Sequence, residues 1–175
     1  MASILKVNTI QDATNSNTAL SIDSSGRVTL PQQVAFTASI TNASGSSGHS
    51  GSLVFDLVGI NKGSHYNNSN GRFTAPIAGL YFFTFHAFVA GNTSGAKLGS
   101  GSTFGARFQV DGDNFTGMQR LYHIIDAANY AHVSLSQIIE LSASQYVTVN
   151  VTDSYIYGVA GGTDIYNGFG GHLIG

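Results

Sequence analysis

Residues 80–89, with the sequence LYFFTFHAFV, place the strongest constraint on how this chain folds. Aromatic and β-branched residues favour extended strands, in which successive side chains point to opposite faces. The two faces of such a strand carry Leu80, Phe82 and Phe88 on one side and Tyr81, Phe83, Phe85 and Val89 on the other. One packed sheet covers a single face, and three rings of about 150–250 Å² each form a larger patch than monomers usually expose.

We therefore predict that the second of these faces, with three aromatic rings, is covered by other copies of the chain. The alternative is that the opposite sheet and a loop cover both faces within one protomer.

The rest of the chain repeats this alternation in shorter segments separated by Gly, Asn and Ser clusters, a pattern typical of a β-sandwich or barrel. Charged residues make up 9% of the chain, against about 25% in an average soluble domain, so the charged side chains of helical surfaces are scarce. We predict an all-β fold with strands near 34–39, 52–58, 72–76, 79–89, 104–111, 131–141, 146–153 and 167–174. The 175 residues fit one such domain at 34–175, preceded by a short extension at 1–33.

The net charge and the N-terminal sequence argue against binding to nucleic acid and insertion into a membrane. A formal net charge of -2 offers no basic patch to a phosphate backbone, so we expect no nucleic acid partner. The N-terminus lacks the apolar core of a signal peptide, and no stretch reaches the roughly 20 apolar residues of a membrane span. We therefore expect a chain that is made without a signal peptide and does not insert into a membrane.

Residues 1–33 differ from the rest, with short apolar alternations and no aromatic residue. Leu20 and Ile22 lead into a turn sequence, and Val28 and Leu30 follow it, which predicts a small β-hairpin. A hairpin of this size is marginal on its own in water. We therefore predict that this segment buries its apolar residues against copies of itself or against another protein.

No residue pattern predicts catalysis, and we expect a protein that is not an enzyme and has no catalytic residues. The sequence GHSG at 48–51 lacks the Gly-x-Ser-x-Gly spacing of a nucleophile elbow. The nine Asp and Glu residues lie mostly beside turns, which makes the paired carboxylates of a glycan-cleaving enzyme hard to supply. None of the six histidines is paired at His-x-His or His-x-x-x-His spacing, so a zinc site would require residues that the fold brings together.

Asp111 and Asp113 are candidate calcium ligands, because Asp-Gly-Asp resembles the start of a calcium loop. The positions that an EF-hand fills with Gly and Glu are Thr116 and Tyr122 here, and Asp-Gly also marks a β-turn. We predict no other cofactor.

Tyr155, Tyr157 and Tyr166 are candidate ligand-binding residues. They lie among Gly, Ser, Asn and Asp, and this composition combines rigid aromatic surface with adaptable hydrogen bonding, as binding loops do. The alternative is that the rings pack along strand faces.

A series of motifs runs through residues 35–174. In chain order they are AFTA at 35–38, VFD at 54–56, NKGSHY at 61–66, GRFTAPIAGLYFFTF at 71–85, ARFQVDG at 106–112, IIELSASQYV at 138–147 and NGFGGHLI at 167–174. In residue types and order they resemble the signature of the C1q-like domain, from about Val34 to Ile174. Gln145 stands where that family usually has an acidic residue, and the loops at 90–103 and 154–166 look longer than usual.

The resemblance implies a ten-stranded jelly roll related to tumour necrosis factor. Such domains assemble as tight homotrimers around an axis lined by aromatic and aliphatic side chains. On this basis we place Tyr81, Phe83, Phe85 and Val89 at a trimer interface. Some C1q-like trimers hold calcium near the apex of the head, which keeps calcium open here. No collagen-like stretch precedes the domain in this sequence.

The N-terminal sequences ILKVNTIQD at 4–12 and TALSIDSSGRVTLP at 18–31 resemble the N-termini of bacteriophage fibres and other virion structural proteins. Together the two halves resemble a short phage fibre, with residues 1–33 as an anchor to other virion proteins and 34–175 as a trimeric head. We predict a virion structural protein, made in the host cytoplasm, whose head binds a host-surface glycan or protein. The alternatives are a capsid or tail decoration protein that stabilises the particle, and a glycan-degrading fibre head.

Overall fold

The computed structural model describes residues 6–41, 48–90, 102–113, 120–125, 130–156, 159–160 and 164–175. The strands are β1 Thr9–Gln11, β2 Thr18–Ile22, β3 Val28–Thr29, β4 Ala35–Ser39, β5 Gly48–Ser52, β6 Leu57–Lys62, β7 Tyr66–Asn67, β8 Arg72–Thr74, β9 Gly79–Ala90, β10 Ser102–Val110, β11 Arg120–Ile125, β12 Tyr130–Leu141, β13 Tyr146–Tyr155, β14 Val159–Ala160, β15 Asp164–Ile165 and β16 Asn167–Leu173. No helix in these ranges is long and apolar enough to cross a membrane. The predicted all-β class is confirmed.

Two antiparallel sheets form a sandwich. The front sheet has five strands in the order β12-β9-β16-β4-β6, and the back sheet has six, in the order β11-β10-β13-β8-β7 with β5 paired beside β13. The chain crosses repeatedly between the sheets. As a result, the last strand, β16, lies between β9 and β4 and pairs with both. This arrangement of crossing connections is a jelly roll, as the resemblance to the C1q-like domain implied.

An aromatic core fills the space between the two sheets. Phe36 of β4 stacks on Tyr66 of β7 and on Phe73 of β8, with ring centroids 4.9 Å apart in both pairs. Phe169 of β16 meets Phe36 edge-on at 4.8 Å, and Phe83 of β9 meets Phe73 edge-on at 5.4 Å. Such pairs add about 0.5–1.5 kcal/mol beyond the burial of their area. The rings therefore hold the two sheets together face to face.

Residues 53–56 cross from the back sheet to the front sheet and are not part of a strand. The backbone of buried Phe55 pairs with a side chain instead: its N–H donates to the Tyr66 hydroxyl oxygen at 3.2 Å, and its carbonyl accepts the same hydroxyl at 3.0 Å. The strand predicted at 52–58 is therefore wrong. The buried side chains of Leu53 and Phe55 alternate with exposed ones, and this imitates a strand in the sequence.

The other predicted strands are confirmed, with ends that shift by one or two residues. The structure adds β11, which pairs with β10 from Arg107 to Ser102 and was not predicted. It also adds β5, which begins at Gly48 and was not predicted.

The N-terminal segment forms a separate three-stranded sheet of β1, β2 and β3. The predicted hairpin is confirmed, because Ile22 of β2 faces Val28 of β3 and the turn between them is closed by Asp23. Ile10 of β1 faces Leu20 of β2, so these four aliphatic side chains share one face of the sheet. Ile10 and Val28 remain about half exposed, at 48% and 57%.

The side-chain amide of Gln33 connects this segment to the sandwich, because it donates to the carbonyl of Leu173 in β16 at 2.6 Å. Leu30 and Leu173 line the same small cleft between the N-terminal sheet and the head.

Replacing Tyr66 by Phe should destabilise the sandwich. The variant keeps the stacked ring but removes the hydroxyl that pairs with both backbone groups of Phe55. Buried polar groups left without a partner cost about 1–3 kcal/mol. We expect the free energy of unfolding, measured by urea denaturation at one protein concentration, to fall by about that amount.

Tyr146→Phe is the matched control, because Tyr146 contacts the Arg72 guanidinium through its ring, at 4.0 Å from the centroid. Its free energy of unfolding should change by less than about 0.5 kcal/mol. Equal losses in the two variants would contradict the role given to the Tyr66 hydroxyl.

Candidate functional site

The four side chains predicted at the trimer interface lie inside the protomer. Tyr81, Phe83, Phe85 and Val89 are 0% exposed. Phe83, for example, packs against Phe73 of the back sheet. These side chains cannot contact a second copy, because the two sheets already enclose them. Their assignment to an interface is corrected: they are part of the core.

The opposite side of β9 points away from the core, and the sequence contained a signal for this. Thr84 and His86 share that side with Leu80, Phe82 and Phe88. Polar residues on an otherwise apolar strand face indicate the side that is turned away from the core. The side with Phe83, Phe85, Ala87 and Val89 has no such interruption and is the buried one.

We call the solvent side of the front sheet the outer face. Its residues are Ala35, Thr37 and Ser39 of β4, Leu57, Ile60 and Lys62 of β6, Leu80, Phe82, Thr84, His86 and Phe88 of β9, His132, Ser134, Ser136, Ile138 and Glu140 of β12, and Gly168, Gly170 and His172 of β16. Ile138, Ile60 and Leu80 are 57%, 49% and 44% exposed. Monomeric proteins rarely expose large contiguous apolar patches, so the outer face is a candidate interaction surface.

A cleft of about 550 Å³ crosses the outer face beside β16. Its walls include Phe82 and Thr84 on one side and Thr37 and Ile60 on the other. The floor includes Gly170, where a Cβ would lie 3.1 Å from the carbonyl oxygen of Phe36. The missing side chain leaves a trough of a size that can hold large side chains from a partner.

Two histidines meet on the outer face. The rings of His86 on β9 and His132 on β12 have centroids 6.0 Å apart and planes inclined by 27°. The His86 ring lies over Gly168, where a Cβ would come within 2.5 Å of its Cε1. Burial lowers the pKa of His86, and the charge of His132 lowers it further. Sequence spacing could not show this pair, because the two strands are far apart in the chain.

Tyr166 is the one predicted ligand-binding tyrosine whose side chain the structure describes; Tyr157 and the side chain of Tyr155 lie outside the described residues. The Tyr166 ring is half-buried and packs against Phe88, with centroids 5.6 Å apart. Its carbonyl accepts the Phe88 N–H at 2.8 Å. Tyr166 therefore borders the outer face, and a site shared by the three tyrosines stays a prediction.

The Asp111 carboxylate takes part in a turn contact. Its Oδ1 accepts the N–H of Tyr146, and its Oδ2 accepts the side-chain amide of Gln145, both at 3.0 Å. Gln145, which stands where the family usually has an acidic residue, therefore stabilises this turn by donating to the Asp111 carboxylate. The Asp113 side chain is exposed. The described residues contain no cluster of three or more His, Cys, Asp or Glu side chains that could hold a metal, and calcium at Asp111 and Asp113 stays a prediction.

The sequence of this chain matches a known family. Residues 35–174 match the profile of the C1q domain. A complement C1q subcomponent of mouse is 30% identical over 120 residues, which cover 67% of this chain and 43% of that protein. The corresponding complement C1q subcomponent of rat is 28% identical over 148 residues, which cover 83% of this chain and 53% of that protein. The chain spans about half the length of the curated relatives it matches.

Solved structures have the same fold. The globular domain of zebrafish complement 1qA has a TM-score of 0.60 at 18% sequence identity, and the match covers 82% of this chain and 98% of that one. Murine APRIL has a TM-score of 0.59 at 9% identity, with coverage of 81% and 99%. The family profile, the relatives and the jelly-roll sandwich agree, and the chain belongs to the C1q domain family.

Proposed function

We propose that this protein is a homotrimer whose heads meet through the outer face, and that the assembled head binds a ligand without catalysing a reaction. C1q-like and tumour necrosis factor-like domains typically form trimers and bind ligands. Proteins with such domains are generally not enzymes. The observation that carries the proposal is the exposed apolar surface on the outer face, which includes Ile138 and Leu80 on β12 and β9 and Ile60 on β6 at the opposite edge of the sheet.

Burial of the outer face would stabilise the association of copies. Each of these three aliphatic side chains is about half exposed in one protomer, so covering it contributes about 1 kcal/mol. The half-buried rings of Phe82 and Phe88 add to the same surface. Glu140 and Lys62 are the two outer-face positions occupied by Asp, Glu, Lys or Arg, so burying this surface removes few such charges from water.

We propose further that the trimer is a short fibre of a bacteriophage virion. Residues 1–33 would anchor it to other virion proteins, and the head at 34–175 would bind a host-surface glycan or protein. The resemblance of the N-terminal sequences to phage fibre proteins supports this proposal. The aliphatic face of the N-terminal sheet, on which Ile10 and Val28 are about half exposed, gives the anchor a surface for a partner. A capsid or tail decoration protein would use the same anchor.

Replacing Ile138 by Asp should separate the copies. Ile138 lies on the outer face and is 57% exposed in one protomer. A carboxylate at this position would be buried on association, and this would oppose the assembly of copies. The substitution should leave the protomer folded, because the side chain is not part of the core. Ile77→Asp is the matched control, because Ile77 is 52% exposed in the turn before β9.

Sedimentation velocity on the two variants checks this expectation. We expect a folded monomer for Ile138→Asp and a trimer for Ile77→Asp. A stable trimer of Ile138→Asp, with the same far-ultraviolet circular dichroism as the parent protein, would show that the outer face is not the interface.

The virion proposal predicts that the chain is a component of particles. Mass spectrometry should detect the chain in phage particles that are purified by density gradient from infected cells. Ile10→Asp with Val28→Asp should remove it from the particles without changing the number of chains in the free protein. Two measurements on particles without the head distinguish a fibre from a decoration protein. Such particles should fail to adsorb to host cells if the protein is a fibre. They should adsorb normally but be less stable if it is a decoration protein. Particles that never contain the chain would rule out both.

A further inference from the structure

The outer face brings together two imidazoles that are far apart in the sequence. In the register of β9 with β12, Ser134 faces His86 and Phe88 faces His132, so the two histidines are diagonal neighbours on the same side of adjacent strands. Their rings are stacked, with centroids 6.0 Å apart. At this distance a positive charge on one imidazole opposes a positive charge on the other.

The groups around His86 do not compensate a positive charge. Directly across from it lie Ser134 on β12 and Gly168 on β16. Asp, Glu, Lys and Arg are absent from these positions and from the diagonal ones. β11 contacts β12 at the edge of the sandwich and contains Arg120 and His123, whose side chains lie outside the described residues. The diagonal positions on the two neighbouring strands are His132, Ser136, Tyr166 and Gly170.

Acid changes the charge of the outer face more than that of an average surface. Near neutral pH, its Asp, Glu, Lys and Arg positions are Glu140 and Lys62, one of each sign. Glu140 faces Leu80, about 20 Å from His86 along β9, and Lys62 lies on the opposite edge strand. Because His172 of β16 is a third histidine on this face, protonation adds up to three positive charges to each copy.

The direction of the effect follows from burial. In one protomer, burial lowers the pKa of His86, and the charge of His132 lowers it further. A second copy over the outer face removes more water from the His86 ring and lowers its pKa again. The trimer therefore binds fewer protons than the separate copies. Its stability is complete above the ordinary histidine pKa of about 6.5 and is lost as the pH falls below that value.

We propose that His86 and His132 form an acid switch: protonation of the two imidazoles where copies meet separates the trimer into folded chains. This inference rests on the proposed trimer through the outer face, and adds the condition under which that trimer dissociates. The chains should stay folded, because the hydrophobic core between the sheets contains neither histidine. The assembled head would therefore exist near neutral pH and come apart in mildly acidic surroundings.

Fluorescence-detected sedimentation velocity of the full chain tests the switch. A dilution series at pH 7.5 and at pH 5.0, on either side of the ordinary histidine pKa of about 6.5, gives the concentration at which half of the trimer has dissociated. We expect this concentration to rise about tenfold or more at the lower pH, because each copy takes up protons as it separates. Circular dichroism should show folded chains at both pH values, and neutralisation should restore the trimer.

A double variant assigns the effect to the pair. His86→Phe with His132→Gln keeps a ring over Gly168 and removes both titrating groups, so the half-dissociation concentration should differ by less than about threefold between the two pH values. If this variant forms no trimer at pH 7.5, His132→Gln, at an exposed position, makes the same test with a smaller expected reduction. His65→Gln is the matched control, because His65 lies in the connection between β6 and β7, and it should keep the full pH dependence.

The outcomes distinguish the switch from the trimer on which it rests. A trimer at pH 7.5 that dissociates at the same concentration at pH 5.0, or that stays intact at every dilution at both, would refute the switch and leave the trimer standing. Equal acid sensitivity in the histidine variants would also refute it, as would unfolding of the chains at pH 5.0. A chain that is monomeric at pH 7.5 would refute the trimer, and the switch with it.

Discussion

The aromatic core between the two sheets is the constraint on which the rest of the structure depends. Phe36 and Phe83 of the front sheet pack against Phe73 of the back sheet, at 4.9 and 5.4 Å between ring centroids. Side chains alternate along a strand, so burying Phe83 and Phe85 of β9 turns Phe82, Thr84 and His86 outward. The apolar outer face is therefore a consequence of the way the core is packed.

The glycines of β16 make room for neighbouring side chains on both sides of the front sheet. On the inner side, a Cβ at Gly171 would lie 2.6 Å from Cδ1 of Phe83, so the absence of a side chain makes room for a core ring. On the outer side, Gly168 makes room for the His86 ring in the same way, and Gly170 lies in the cleft of about 550 Å³. One strand with little side-chain volume thus allows a tight core and a recessed surface.

The sequence predicted the long strands β9, β10, β12 and β13, because alternation and turn residues are local signals, and its series of motifs predicted the family. It failed at 53–56, where the Tyr66 hydroxyl satisfies backbone groups that a strand would otherwise pair. It also placed the buried side of β9 at an interface, because that side has more aromatic rings, although the polar residues Thr84 and His86 on the other side indicate which side is turned away from the core. The pairing of His86 with His132 depends on the register of β9 and β12, which no spacing along the chain encodes.

The central claim is that the outer face is covered by two further copies of the chain. The molar mass of the unchanged protein, measured by size-exclusion chromatography with multi-angle light scattering over a hundredfold range of concentration, tests it most directly. The structure and the family lead us to expect three times the chain mass of 18.3 kDa at every concentration. A mass of one chain throughout would contradict the claim and leave the outer face as a surface for a different partner.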